Sequence, residues 1–183
     1  QGTVVLRVAP TPEGVQVATS DGEWLAGQVV DTRPPSRSSR AATKMVQAFA
    51  GAEVEGDAVT GEPDVVGLMD HMVTDDHGFR FDYVLPLTTA RRLVEATRFS
   101  AGPVTTQQLD ADLNAALSRA IPGGRFRVVR RERGFIPMGL PLPAPTGDAR
   151  WVYAGTRGGA VRAATGYAFH RMQAWARDCA RSV

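Results

Sequence analysis

Hydrophobic and polar positions alternate most regularly between residues 79 and 99. In the first half, aromatic or aliphatic side chains occupy every second position, namely Phe79, Phe81, Tyr83 and Leu85. Alternation with a period of two predicts a strand with one buried face. The second half repeats the pattern, and one of its rows consists of Leu93, Glu95, Thr97 and Phe99. We therefore predict a β-hairpin whose turn lies near residues 86–89.

One carboxylate, Glu95, lies in the more apolar row of the second strand. Burial raises the pKa of a carboxyl group because it disfavours the charged form. A carboxylic acid that stays protonated near neutral pH can act as a general acid. Glu95 is therefore the leading catalytic candidate. The alternative is a solvent-facing carboxylate or an ion pair with Arg80 or Arg92, and on spacing alone this alternative is the more frequent case.

Further β-rich runs predict an antiparallel sheet around the hairpin. Runs 3–8, 15–19 and 24–31 indicate a meander that has Asp21-Gly22 as a hairpin turn and delivers Asp31 and Arg33 to a loop. Run 45–53 predicts another strand, and run 65–73, which precedes a turn at 74–78, completes the sheet with the hairpin. Later strands are predicted at 125–131 and 151–154.

Two helices are predicted. Thr105 and Gln108 fit a capping box, and leucines recur every four residues from Leu109 until Pro122 ends the pattern. We expect this helix to cover one face of the sheet. A second helix begins near Thr165 or Gly166. Its predicted buried stripe consists of Ala168, Met172, Trp175, Ala176 and Cys179.

A glycine-bearing loop at residues 155–159 lies between the last strand and the last helix. Free backbone N–H groups and a helix dipole at such a position can face an anion. The complete G-x-G-x-x-G pattern is absent, so the residues alone favour a simple connection.

Composition limits the class of protein. The 183 residues are 43% hydrophobic and 22% charged, as in soluble globular proteins. No apolar run approaches the roughly 18 residues of a membrane span, so we expect no integral membrane protein, while surface association stays open. A single cysteine, Cys179, excludes an internal disulfide and indicates a reducing compartment. The three histidines lack ligand spacing, and we predict no metal site.

Charge is distributed unevenly along the chain. Residues 1–118 carry 9 basic and 16 acidic groups, whereas residues 119–183 carry 12 and 3. The arginines of the second part are scattered instead of clustered with aromatic residues, so a nucleic-acid site is not predicted. Anionic cofactor phosphates or an anionic bilayer are equally suitable partners.

Two stretches indicate domain boundaries. Pro34, Pro35 and the following Ser/Arg run break regular structure near residue 40, and a proline-rich link occupies residues 141–145. The chain begins at Gln1 and enters a strand pattern at once, which leads us to expect a fragment.

Six short motifs then occur in a characteristic order: Gln47-Ala48-Phe49 with Gly51, Leu68-Met69-Asp70, FDYVLPL at 81–87, LVEAT at 93–97, GFIPM at 134–138 and Thr165-Gly166-Tyr167. In order and spacing they resemble the bacterial lycopene cyclases. Those flavoproteins convert the ends of linear carotenoids into rings and are related to geranylgeranyl reductases. The resemblance runs from about Val29 almost to the end of the chain.

The resemblance implies an α/β fold in which an α+β substrate domain interrupts a Rossmann-like FAD-binding domain. Residues 1–40 and 146–183 would belong to the cofactor domain, and residues 41–145 would form the substrate domain. The N-terminal βαβ unit of the family would lie before Gln1. Reduced FAD, with NAD(P)H as reductant, is the implied cofactor. Gly158, Gly159, Thr165, Gly166 and Tyr167 would face the flavin.

The family's acidic triplet falls on Glu95, Ala96 and Thr97, where alanine replaces the second acid. Family chemistry would make Glu95 protonate a terminal double bond of a linear carotenoid such as lycopene, with no net redox change. Phe81, Tyr83 and Asp70 would line the substrate pocket. The expected location is cytoplasmic, peripheral to the inner face of the membrane. A flavin-dependent reductase or hydroxylase and a non-catalytic polyene- or lipid-binding remnant are the alternative functions.

Overall fold

A computed structural model of the chain describes residues 2–35, 43–57, 59 and 62–182. The chain divides into two compact units. We call Lys44–Met138 the central unit and the combination of Gln1–Thr43 with Gly139–Val183 the terminal unit. The boundary predicted near residue 40 lies outside the described residues.

Ten strands and two helices occur within the described residues. In chain order they are β1 (Val5–Thr11), β2 (Gly14–Thr19), β3 (Gly22–Ala26), β4 (Val29–Asp31), β5 (Met45–Glu55), β6 (Gly67–Asp75), β7 (Gly78–Thr88), β8 (Arg91–Ser100), α1 (Thr106–Ala120), β9 (Arg127–Met138), β10 (Trp151–Tyr153) and α2 (Phe169–Ser182).

The central unit is a five-stranded antiparallel sheet in the order β6-β7-β8-β5-β9. The predicted hairpin is confirmed as β7 and β8, in which Phe81 pairs with Thr97 and Tyr83 with Glu95. Its turn lies at residues 89–90, later than the predicted start, because Pro86 still belongs to β7 and pairs with Arg92.

Helix α1 covers one face of this sheet, as predicted. The capping box is confirmed, since Oγ1 of Thr105 accepts a hydrogen bond from the N–H of Gln108, and the Gln108 side chain accepts one from the Thr105 N–H. Fully burying a leucine contributes about 1.5–3 kcal/mol, so the leucines of α1 hold the helix on the sheet. The buried core consists of Ala48, Ala50, Ala52, Val54, Val59, Val94, Ala96, Leu109, Leu113, Ala116, Leu117 and Ile121.

The strand predicted at 65–73 is confirmed as β6, which pairs antiparallel with β7 of the hairpin and so completes the sheet as predicted. One strand prediction for the central unit was wrong. Strand β9 continues without interruption through GFIPM to Met138, although the prediction ended it at residue 131. Its pairing with β5 provides backbone partners along the whole length, with one bulge near Val54.

The terminal unit begins with the predicted meander, β1-β2-β3. The hairpin at Asp21-Gly22 is confirmed, because Thr19 pairs with Gly22. The predicted third run, 24–31, is two separate strands. Strand β4 leaves the meander and pairs in parallel with β10, 120 residues later in the chain, through Trp151 opposite Val29.

Helix α2 begins at Phe169, later than the predicted start at Thr165 or Gly166. Its predicted buried stripe was also wrong: Met172 and Trp175 are 40% and 37% exposed, and Cys179 is half-buried. The described residues of the terminal unit supply too little packing against this helix to bury its apolar side.

Candidate active site

An aromatic face forms on the side of the central sheet opposite α1. Phe79, Phe81 and Tyr83 alternate along β7, and Phe99 lies opposite Phe79 on β8. The ring of Phe81 contacts the other three, with centroid separations of 5.2–5.6 Å, and its side chain is 1% exposed. Such edge-to-face and tilted contacts add to the burial energy of each ring. The aromatic face is therefore a well-ordered apolar surface.

Glu95 lies in the row of β8 that borders this aromatic face, directly opposite Tyr83. The Thr97 hydroxyl donates a hydrogen bond of 2.9 Å to Oε1 of Glu95. Burial raises the pKa of Glu95 from 4.5 to about 7, against the lowering effect of the Thr97 hydrogen bond. Burial, followed by the charge of Glu95, raises the pKa of Tyr83 as well. Glu95 is thus a carboxyl group that is substantially protonated at neutral pH.

Arg80 and Arg92, the two possible cationic partners of Glu95, lie on the opposite face of the sheet. Arg80 is 3.7 Å from Asp75 and 3.9 Å from Asp112, on the side covered by α1. Arg92 lines a cavity on that same side. Neither Arg80 nor Arg92 therefore pairs with Glu95, whose side chain is half-buried.

The opposite row of β8 is buried more deeply than the sequence indicated. Val94, Ala96 and Arg98 are 0%, 3% and 3% exposed beneath α1. Arg98 binds Asp112 of α1 through two hydrogen bonds of 3.0 Å and donates a third, of 2.6 Å, to Asp75. This buried ion cluster joins β8 to α1.

A second carboxylate, Glu132 of β9, extends towards Glu95, and the sequence analysis missed it. Gly51 of β5 pairs with Glu95 on one side and with Glu132 on the other. The charge of Glu132, and a hydrogen bond that its carboxylate accepts from the protonated Glu95, contribute after burial to the raised pKa of Glu95. The signal in the sequence was the alternation of Arg130, Glu132 and Gly134, which continues the strand beyond the predicted end.

The predicted substrate-pocket residues do not come together at one place. Phe81 and Tyr83 lie beside Glu95, but Asp70 of β6 lines a different cavity of about 340 Å³ on the α1 side of the sheet. That cavity also contains Asp82, which accepts a 2.6 Å hydrogen bond from Arg119. Met69 and His71 on either side of Asp70 have φ of 55° and 52°, so the strand is distorted there.

The predicted flavin-facing glycines lie in the tight loop after β10, in the terminal unit. The N–H of Gly158 donates to the carbonyl of Ala154, and that of Gly159 donates to the carbonyl of Thr156. A methyl group on Gly158 would lie 2.6 Å from the Tyr153 carbonyl oxygen. The loop therefore uses these two N–H groups internally, in agreement with the simple connection that the residues alone favoured.

Thr165, Gly166 and Tyr167 form a second closed loop before α2. The N–H of Gly166 donates to the carbonyl of Arg162, and the N–H of Arg162 donates to the carbonyl of Tyr167. The Tyr167 N–H donates to Oγ1 of Thr165 at 3.3 Å, and its side chain is 46% exposed. The exposed tyrosine ring is the part of this loop that is open to a ligand.

A cavity of about 490 Å³ lies in the terminal unit between the loop after β10 and α2. Gly158 and Gly159 contribute to it, with Tyr153, Met172 and Trp175. Aromatic and aliphatic walls with a few polar groups are typical of sites for planar organic ligands. The residues present therefore fit one part of a flavin site, through shape and apolar contact instead of through free N–H groups.

Asp31, at the end of β4, organises the approach to this cavity. Its carboxylate is 4% exposed and accepts hydrogen bonds of 2.9 and 2.7 Å from Arg33 and one of 3.4 Å from Arg157. The guanidinium of Arg157 in turn lies 4.1 Å from the centre of the Tyr153 ring. The Arg33 hydrogen bonds hold the pKa of Asp31 below its usual value.

No group of three or more His, Cys, Asp or Glu side chains within the described ranges could hold a metal ion. Neither α1 nor α2 combines the length and the hydropathy that crossing a membrane requires, and the search covered only the part of the chain that the structure describes.

Comparison with known proteins gives a consistent result. Residues 2–183 match the family described as lycopene cyclase protein. The chain is 38% identical over 149 residues to the lycopene beta-cyclase of Paracoccus sp. (strain N81106 / MBIC 01143), covering 78% of this chain and 37% of that protein. It is 32% identical over 162 residues to the lycopene beta-cyclase of Pseudescherichia vulneris, covering 85% and 40%. The chain thus spans less than half the length of these relatives.

Solved structures share the fold at low sequence identity. A geranylgeranyl bacteriochlorophyll reductase-like protein from Thermoplasma acidophilum superposes with a TM-score of 0.57 and 12% identity, covering 90% of this chain and 44% of that one. The halogenase PltM gives a TM-score of 0.58 and 15% identity, covering 100% and 43%. The predicted α/β fold class is therefore confirmed.

Proposed function

Because the chain belongs to the lycopene cyclase family, we propose that it carries the catalytic acid of an enzyme that cyclises the ends of a linear carotenoid. The proposed reaction is an isomerisation that begins with a proton transfer and involves no net redox change. Lycopene is the proposed substrate class, by analogy with the names of the two relatives. The chain spans less than half of those relatives, so the activity is proposed for the protein as a whole.

The observation that carries this proposal is the burial of Glu95 beside the aromatic face. Burial raises its pKa to about 7, so that a carboxyl group able to donate a proton near neutral pH lies next to an apolar surface. In the proposed reaction the π electrons of a terminal double bond take this proton, and a C–H bond forms. The resulting cation is attacked by a neighbouring double bond, which closes the ring. Loss of a ring proton then forms the new double bond.

The surroundings of Glu95 suit an intermediate of this kind. A carbocation reacts with water, so the reaction needs a site from which water is excluded. Tyr83 presents its aromatic ring next to the carboxyl group, and the buried ring of Phe81 packs edge-to-face against it. The negative faces of aromatic rings also attract a cation by roughly 0.5–2 kcal/mol. These rings would thus both exclude water and stabilise the positive charge.

We further propose that the central unit binds substrate and that the terminal unit binds reduced FAD, with NAD(P)H as the reductant. The groups that would hold the flavin are those around the 490 Å³ cavity, including Gly158 and Gly159, together with Thr165, Gly166 and Tyr167. Reduced FAD would assist the cyclisation without being consumed. The residues of the chain would bind it, and Glu95 would hold and move the proton.

Contact with the inner face of the cytoplasmic membrane is the proposed route to the polyene, which partitions into lipid. Edge strand β6 and the residues before it expose a row of apolar side chains, which are Val65, Val66, Leu68, Met69, Met72 and Val73, each 38–64% exposed. Apolar patches of this kind mark interaction surfaces. Asp64, Asp75 and Asp76 flank the row, so we propose contact with the acyl region of the lipid instead of attraction to anionic headgroups.

The test is the activity of Glu95→Gln in the protein made from its complete reading frame. Glutamine keeps the shape and the hydrogen bond from Thr97 but cannot donate a proton from a carboxyl group. We expect loss of ring formation with flavin still bound. The matched control is Glu55→Gln, which changes a carboxylate that pairs with Arg127 on the same sheet face. Ring formation by Glu95→Gln at the wild-type rate contradicts the assignment.

A further inference from the structure

The register of the central sheet places Glu95 and Glu132 on the two sides of one glycine. Gly51 of β5 is the direct partner of Glu95 in β8 and of Glu132 in β9. Neighbouring strands lie about 4.8 Å apart, so the two glutamate backbones are separated by about 10 Å. Their side chains can meet across this distance only if the position between them carries no side chain.

The side chain of Glu132 occupies the space above Gly51. A methyl group at position 51 would lie 2.9 Å from Cγ of Glu132 and 3.1 Å from its Oε1. Contacts below 3.0 Å are not tolerated, so any other residue at position 51 would displace Glu132. The absence of a side chain at Gly51 therefore opens the path between the two carboxyl groups.

The other oxygen of Glu132 is bound to a cation. Oε2 accepts a 2.7 Å hydrogen bond from Arg130, which also donates one of 3.3 Å to Glu53. The side chain of Arg130 is 55% exposed and that of Glu132 is 26% exposed. Because Arg130 stabilises the charge of Glu132, Glu132 is the glutamate that carries the negative charge. Glu95 is the glutamate that keeps a proton.

We propose that Glu132 is a positioning residue of the reaction, which holds the transferable proton on Glu95 by sharing it across Gly51. This inference rests on the function proposed above. Two carboxylates in contact cannot both ionise without strong repulsion. The charged or titratable groups that face Glu95 are Tyr83 from β7, Glu53 from β5, and Arg130 and Glu132 from β9, while α1 covers the opposite side.

The contact between Glu95 and Glu132 also explains how Glu95 regains its proton at the end of the reaction. When Glu95 gives its proton to the polyene, its new carboxylate faces the carboxylate of Glu132. The repulsion makes Glu95 a stronger base, and this favours removal of a proton from the cyclised cation. One C–H bond forms, one C–C bond forms and one C–H bond breaks, so the reaction returns both carboxyl groups to their starting state.

The test is a pH titration of Glu95 by infrared spectroscopy, which detects the C=O stretch of a protonated carboxyl group. The band is assigned as the one lost in Glu95→Gln. We expect the titration midpoint near pH 7 in the unaltered protein and a lower midpoint in Glu132→Gln. If the midpoint falls by about one pH unit, the protonated fraction at pH 7 falls about fivefold.

Two further variants make the test specific. Gly51→Ala, which displaces Glu132 but keeps its carboxylate, should lower the midpoint in the same direction. Glu55→Gln, on the same face of β5 but paired with Arg127, should leave it unchanged. Circular dichroism of each variant checks that the sheet is intact.

An unchanged midpoint in both Glu132→Gln and Gly51→Ala overturns the proposal, because burial alone would then hold the proton. Ring formation provides the second readout: Glu132→Gln should lose activity at pH 7 and regain it at lower pH. The titration does not depend on turnover. A lowered midpoint with ring formation retained in Glu95→Gln would therefore refute the proposed function while leaving the shared proton established.

Discussion

Replacement of Glu95 by glutamine should make the folded chain more stable at neutral pH. Glu95 has a pKa of about 7 in the folded protein, against 4.5 as its ordinary value. The folded state therefore binds more protons than the unfolded state between these two values, and stability falls as the pH rises through that window. Below about pH 4.5 both states are protonated and the penalty disappears. Glutamine is neutral at every pH and removes the penalty altogether.

The size of the effect follows from the difference between the two pKa values. At 1.36 kcal/mol for each pH unit, the difference corresponds to about 3 kcal/mol. The side chain is half-buried, and partial access of solvent screens its charge, which reduces the expected gain to about 2 kcal/mol. Below pH 4.5 the two proteins should differ only by the small cost of exchanging a carboxylic acid for an amide.

Urea unfolding of both proteins at a series of pH values between about 4 and 9 measures this difference. The free energies of unfolding should diverge as the pH rises and stay a constant distance apart above about pH 8. Glu55→Gln, which alters a carboxylate that pairs with Arg127 on the same sheet face, is the matched control. Parallel curves for the wild type and Glu95→Gln across the whole range would refute the conclusion that Glu95 is protonated when folded.

Three other predictions concern the central unit. Arg98→Met removes two hydrogen bonds to Asp112, whose side chain is 15% exposed and keeps Arg80 at 3.9 Å, and should cost about 1–3 kcal/mol in urea unfolding. Arg131→Met, at an exposed position, should change stability by less than about 0.5 kcal/mol. Leu113→Ala should cost about 2–5 kcal/mol by leaving a cavity under α1, as measured by the same method. Leu68→Glu with Met72→Glu should abolish co-sedimentation with phosphatidylcholine vesicles without loss of secondary structure, and unchanged sedimentation would contradict the proposed membrane contact.

The sequence predicted the features that depend on local periodicity. The hairpin of β7 and β8, the capping box at Thr105 and the place of Glu95 in an apolar row all follow from patterns within about 20 residues. In each case the alternation or the cap determines the local structure without help from distant residues. The deeper burial of the opposite row of β8 was not predicted. An arginine is usually exposed, and the partners that allow Arg98 to be buried, Asp75 and Asp112, lie on other elements.

Features that depend on pairing between distant segments were not predictable in the same way. Glu132 comes into contact with Glu95 because β5 pairs with both β8 and β9, and no local pattern specifies that register. The parallel pairing of β4 with β10 joins segments 120 residues apart. The exposure of the apolar side of α2 was not predicted either. The apolar pattern of this helix is clear in the sequence, but the described residues supply little to cover it.

In the proposed reaction, ring closure begins with transfer of a proton from Glu95 to the carotenoid. This step is tested by the mass of the cyclised product formed in heavy water by the protein made from its complete reading frame. We expect one deuterium atom retained for each ring closed, because the proton that is added and the proton that is lost occupy different carbon atoms. A cyclised product with no deuterium would contradict it.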